Sequence, residues 1–142
     1  MNKESRMVET AYYRYVNLNP KGKYCGDCVI RAIANACNQT WETTIREMTE
    51  LGIKKGLVLN DRKLYPLYLK QKGFRQMEEP RKVDNTRYSV KEWLCTSDYH
   101  LWHNYSIVAN VGSHHVLCIK DFKVEDIWNS STQTMHKWWV KL

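Results

Sequence analysis

Two short segments carry the residue types from which nucleophilic chemistry is built. Gly26-Asp27-Cys28-Val29-Ile30-Arg31-Ala32 puts a thiol where a helix should begin. His114-His115-Val116-Leu117-Cys118-Ile119 puts an imidazole at the mouth of a strand, ahead of a hairpin that ends in Trp128-Asn129-Ser130-Ser131. A thiol in the first turn of a helix feels the positive end of the helix dipole, which favours thiolate over thiol. The thiolate then needs a partner that balances its charge and protonates a leaving group, and an imidazole does both. A third group that holds the imidazole completes the set. Such a set performs acyl transfer through a thioester.

The elements that must position these groups are written in the hydrophobic pattern. From Asp27, Val29, Ile30, Ala32, Ile33, Ala34, Ala36 and Cys37 are apolar almost all round a helix, which therefore belongs in the middle of a domain. Asp27 is an N-cap residue type, and Arg31, the exposed exception, lies one turn beyond it at pairing distance. A second helix is expected over 41–51, capped by Thr40 and closed by Gly52, and a third over about 61–72, with Gly73 at its end and Pro66 near its start. Ser89 with Glu92 three residues on reads as a capping box for a short helix through Trp93 and Leu94. The period then changes, and 105–111, 115–120, 124–128 and 135–140 read as strands. Tyr12, Tyr13, Tyr15 and Val16 form an N-terminal aromatic arm that lies against the core, followed by a turn-rich loop from Asn17 to Gly22. Helices first and an antiparallel sheet second describe an α+β domain.

Strand alternation sends His114 and His115 to opposite faces, and periodicity alone does not say which face meets Cys28. With a three-residue turn at Asp121-Phe122-Lys123, His115 falls opposite Asn129; with a two-residue turn His114 does. Asn129 is then the acceptor for the imidazole N–H, and Asp126 is its rival, paired further from the histidine end of the hairpin.

Composition bounds the class. The 142 residues suit one domain with its own core, and six Trp and nine Tyr argue for packed structure rather than disorder. No apolar run is long enough to cross a bilayer, and the start, Met1 to Arg6, lacks the apolar stretch of a secretion signal, so the expectation is a cytoplasmic protein without a membrane partner. Five cysteines, an odd number unevenly spaced, speak for reduced thiols; Cys37 and Cys118, flanked by apolar residues, read as packing residues. The formal charge of +7 is spread along the chain, densest only at Lys54-Lys55 and Arg62-Lys63, which favours a solvated surface over a nucleic-acid footprint.

Gly-Asp-Cys-Val-Ile-Arg-Ala after an Asn-Pro-Lys-Gly loop, with a late His-Val, hairpin and Asp-x-Trp-Asn, resembles the small papain-like cysteine peptidases carried by bacteriophages and mobile elements. The resemblance runs from about Asn17 to about Trp138 and is specific at its two ends. It implies a single papain-like domain over 1–142, with a central cysteine helix packed on a C-terminal antiparallel sheet, a protein or peptide substrate, host-cell cytoplasm and no cofactor or metal. It implies Cys28 as nucleophile, His115 as general base and acid because Val116 opens the aliphatic strand that follows it, and Asn129 as the orienting residue. That last position is often Asp in the family and is Asn in papain. Papain-like enzymes also add a side-chain amide from the loop before the nucleophile to the oxyanion site. No Gln stands there, so Asn19, and after it Asn17, take that place beside the backbone N–H of Cys28.

Two other readings use the same residues. Cys25-Gly26-Asp27-Cys28 has the spacing of a redox pair or half a zinc site, with His100 and His103 as the other half, although a second knuckle and a strand before the pair are missing. A papain-like scaffold without catalysis would act as a binder of a host or phage partner through a basic, aromatic surface.

Overall fold

The computed structural model describes residues 3–142. In chain order the elements are α1 (Lys3–Arg6), β1 (Tyr13–Tyr15), α2 (Cys28–Cys37), α3 (Trp41–Lys55), α4 (Leu64–Gln71), β2 (Arg75–Met77), α5 (Val90–Leu94), α6 (Ser97–His100), β3 (Ile107–Val111), β4 (His115–Lys120), β5 (Lys123–Asp126) and β6 (Met135–Val140). Among the described residues the domain is therefore α+β, with six helices and one six-stranded sheet in the order β1-β5-β4-β3-β6-β2.

The sheet is mixed, not purely antiparallel, and not built from the C-terminal strands alone. The N-terminal arm returns to pair in parallel with β5, Tyr13 opposite Val124 and Tyr15 opposite Asp126, while β2 adds to β6 at the far edge. The remaining pairings are antiparallel.

Alternation along the inner strands sorts the core onto two faces. Ile107, Ala109, Leu117, Ile119 and Val124 pack with Trp93, Tyr99 and Trp138 beneath α5 and α6. Val108, Val116, Cys118 and Trp139 pack with Ile30, Ile33, Met48 and Leu64 of α2, α3 and α4. Strands buried on both sides explain why 107–111 and 115–120 read as nearly continuous apolar runs. The apolar helix α2 lies against β4 in the middle of this arrangement, as its all-round hydrophobicity requires.

Helix ends follow local chemistry with three departures from the sequence expectation. Ser89 and Glu92 form the reciprocal capping box of α5, and Thr40 caps α3 by accepting the Thr43 N–H. Yet α3 runs past Gly52 to Lys55 and closes at Gly56, whose φ of 72° is the left-handed cap. Pro66 falls in the first turn of α4, which starts at Leu64 rather than near Asp61, so its missing N–H costs no helical bond. Asp27 precedes α2 without capping it by its side chain; its carboxylate is engaged elsewhere.

Gly52 stays glycine for steric reasons, since a Cβ there would stand 2.5 Å from the Leu57 carbonyl oxygen. Replacing glycine by alanine inside a helix ordinarily stabilises by about 0.5–1 kcal/mol. Here Gly52→Ala is expected to destabilise by about 1–3 kcal/mol through overpacking against backbone, read as a lower urea midpoint; a raised midpoint would contradict the packing described.

Candidate active site

Helix α2 delivers Cys28 as its first residue, and β4 delivers His115 as its first. The thiol and the imidazole are near enough to shift one another's pKa, and the Val116 backbone also favours the charged sulfur. The other side of the ring is fixed by His115 Nε2, 2.5 Å from Asp126 Oδ2. A carboxylate only accepts, so Nε2 carries a hydrogen and Nδ1 is the nitrogen left for the thiol. Trp128 lies against the imidazole, ring centroids 5.1 Å apart, and screens the pair on that flank.

The ladder between β4 and β5 explains why Asp126 meets His115. Lys120 pairs with Lys123, so the hairpin turn is the two-residue Asp121-Phe122, both residues left-handed at φ 48° and 67°, the geometry of a type I′ turn. The ladder ends at Cys118 opposite Glu125. His115 and Asp126 both sit beyond that last pair, at the end of the sheet beside the start of α2.

Asn129 does not bond to His115, as the three-residue turn would have placed it to do. Its Oδ1 accepts from the backbone N–H of Ser131 at 3.2 Å and from the Ser131 hydroxyl at 2.6 Å, so it organises its own loop. His114 is also set apart. It closes the β3–β4 turn at φ 110° and accepts from Arg62 Nη2 through Nε2 at 2.6 Å. Asn19 donates through Nδ2 to Asp27 at 3.1 Å and accepts the Lys21 N–H through Oδ1, which makes it a brace for the loop rather than a wall of the cleft. Asn17 accepts the Asn19 N–H, and its own Nδ2 is buried with no partner among the described residues.

The residue that sequence reading missed is Arg31. It is 6% exposed, not the exposed exception, and it bridges two buried carboxylates: Nε donates to Asp27 at 2.8 Å and Nη1 to Asp126 at 3.0 Å. Asp27 also accepts from Asn19 and, at 2.9 Å, from Trp41 Nε1. Asp126 is filled on every side: Oδ1 takes Arg31 and the Ile127 N–H, Oδ2 takes His115 and the Ser130 hydroxyl at 2.6 Å. The i, i+4 spacing of Asp27 and Arg31 announced the first pair; nothing in the sequence announced the second.

These contacts set the protonation states. Burial disfavours the charged form of Cys28, but hydrogen bonds from His115 and the Val116 backbone, with the charges of His115 and Arg31, bring its pKa below the ordinary thiol value. Burial also opposes protonation of His115, yet the bonds to Asp126 and Cys28 prevail and push it up to about 9. Asp27 and Asp126 are held below the usual carboxylate value against their own burial, Asp27 chiefly by Arg31 and Asp126 chiefly by His115. Two carboxylates and one guanidinium leave one buried negative charge unbalanced, which favours the protonated imidazole over the neutral ring.

A cleft of about 410 Å³ opens on Cys28. Val29, Ile45, Leu59 and Tyr65 give it an apolar wall, and Arg62 and His114 stand at its rim. All five cysteines are unpaired, and Cys25, exposed, has its pKa raised by slight desolvation and by the Asp27 carboxylate. His100 and His103 pack around Phe122 instead of approaching the cysteines. Among the described residues no three His, Cys, Asp or Glu side chains gather as a metal site, and no helix is long and apolar enough to cross a membrane. No protein-family model, curated protein or solved structure matches the chain.

Removing Arg31 leaves Asp27 buried without a cation and Asp126 with His115 as its only charged partner. Arg31→Ala is expected to cost about 3–5 kcal/mol in urea unfolding, and Arg31→Lys, which keeps the charge but not the fork, less. The depressed carboxylates contribute their full stability above the unfolded value of about pH 3.9 and lose it as pH falls through the folded values. The acid slope of stability should therefore flatten in Arg31→Lys; an unchanged slope would place the depression elsewhere.

Proposed function

We propose that the protein is a papain-like thiol hydrolase that cleaves an amide, peptide or isopeptide bond through Cys28, His115 and Asp126. The observation that carries this reading is the unbroken line of contacts from the helix-start thiol to the imidazole to a buried, fully bonded carboxylate. Asp126 takes the orienting role that Asn129 was expected to fill. The central cysteine helix packed against the strand that bears the histidine supports the papain-like assignment of the fold. Membership of the small papain-like peptidases of bacteriophages and mobile elements belongs to the same proposal, and with it a protein or peptide substrate and a place in the host cytoplasm.

The chemistry follows from the protonation states. The Cys28 thiolate attacks the carbonyl carbon, and the carbonyl electrons move to oxygen. The Cys28 backbone N–H, in the first turn of α2 and so without an intrahelical acceptor, is available to that oxyanion. As the tetrahedral adduct collapses, the C–N bond breaks and the imidazolium gives its proton to the departing amine. The neutral imidazole next takes a proton from water, whose oxygen attacks the thioester; the acid leaves and Cys28 regains its thiolate. Asp126 holds the ring through Nε2 and stabilises the imidazolium without itself accepting the proton.

Alkylation by iodoacetamide across pH, with mass spectrometry to identify the labelled residue, tests the reading sharply because exposure and activation point to different cysteines. Cys25 and Cys95 are the exposed ones, yet Cys28 is expected to react first, well below the ordinary thiol pKa of about 8.5, and to lose that lead in His115→Ala. Preferential labelling of Cys25 and Cys95 would defeat the proposal. Hydrolysis should fall as His115 loses its proton through about pH 9, whereas alkylation, which needs only the thiolate, should not.

The triad assignment has its own check in kcat/KM. Asp126→Asn is expected to lower it by about 100-fold or more, since the imidazolium loses its counter-charge, while Asn129→Ala changes it less than about three-fold. The reverse ranking would restore Asn129 as the orienting residue.

A further inference from the structure

A second depression begins where the Cys28 cleft ends. It holds about 690 Å³ between α4 and β2, and Arg62 belongs to both. Its floor is apolar, made of Pro66, Leu67, Phe74 and Trp139, the last two almost wholly buried. Its rim is cationic: Arg62, Lys63, Lys70 and Arg75, all exposed. No acidic side chain lines it.

The rim cations differ in pairing from several cations nearby in sequence. Among the described residues none of the four cations has a carboxylate partner. Cations nearby in sequence do: Lys72 pairs with Glu47, and Arg81 and Arg87 both pair with Glu79. Around the apolar trough the four positive charges repel one another with no acidic side chain lining the trough to offset them, and an incoming acidic chain relieves that repulsion. The trough is also bordered by β2, an edge strand of the sheet, which favours an extended occupant over a folded one.

We propose that this groove docks an extended segment of the substrate protein in which acidic and apolar residues are interspersed, and that Arg62 is the point where the segment passes into the cleft at Cys28. The inference rests on the hydrolase reading for the direction of that passage, though the groove's preference for acidic over basic chain does not. The apolar side chains lie on the Leu67–Phe74 floor while carboxylates meet the rim. A nucleic acid would meet the same charge, but the aromatic residues of the floor are sunk rather than presented as stacking faces, which disfavours it.

The test uses the full chain carrying Cys28→Ala, so that bound peptide is not turned over, and fluorescence anisotropy with three labelled probes: a peptide of alternating Glu and Leu, its Lys and Leu counterpart, and oligo-dT. The Glu-Leu peptide is expected to bind and the Lys-Leu peptide not to. Binding should weaken with salt, and by about ten-fold or more in Lys63→Glu/Lys70→Glu/Arg75→Glu. The corresponding Gln variant, checked like the first by circular dichroism for an intact fold, should lie between. Equal binding of both peptides, or no loss in either variant, overturns the proposal. Tighter binding of oligo-dT that the same reversal abolishes overturns it too, and makes the groove a nucleic-acid site. Alkylation of Cys28 in the unsubstituted protein is read separately. An ordinary thiol with selective Glu-Leu binding sinks the hydrolase reading and upholds the docking surface. An activated thiol with no peptide selectivity does the opposite.

Discussion

Arg31 is the residue on which the rest depends. Its guanidinium is planar and always charged, and its fork reaches two carboxylates from two different parts of the fold. Asp27 belongs to the loop that sets where α2 begins; Asp126 ends β5 and bonds to His115, the first residue of β4. A single side chain therefore ties the start of α2 to the end of β5, and with them Cys28 to His115. Burying such a cluster is costly unless every oxygen is satisfied. Here each is: Asn19 and Trp41 complete Asp27, while Ser130, Ile127 and His115 complete Asp126. The cost of burial is offset by a geometry with little freedom left in it.

The same network makes the imidazole basic. With Arg31 shared between two acids, Asp126 retains charge to spend on His115, and the ring keeps its proton to about pH 9. That proton in turn favours thiolate at Cys28, so the structural cluster and the reactive pair are one electrostatic unit. Trp128 lies over the imidazole and limits the water that would weaken the unit.

Much of this was legible in the chain. The helix at Cys28, the strand at His115, the capping box at Ser89 and the strand at 135–140 follow from periodicity and cap chemistry, because each is set locally. What sequence reading missed is set at a distance. The strands β1 and β2 have three residues each, too few for alternation to register, and exist because β5 and β6 offer them edges. Arg31 on an apolar helix looked solvent-facing because its second partner is far along the chain. Whether Asp126 or Asn129 meets His115 turned on the length of one hairpin turn, which holds Asp121 and Phe122 in left-handed conformations; Asp tolerates that region, but Phe does not advertise it. Gly52 looked like a helix end but is a point of close approach within α3.

The parallel pairing of β1 with β5 also orders events in time. Cys28 and its helix are made early, whereas the strand that supplies Asp126 and the edge on which Tyr13 to Tyr15 pair come from the last part of the chain. During vectorial synthesis Cys28 is exposed to the cell long before its activating partners exist. Until they arrive its thiol has no imidazolium beside it and only the ordinary reactivity of a cysteine. In a nascent chain Cys28 is thus an ordinary thiol, and the surroundings that lower its pKa come late, when the two distant parts of the chain meet.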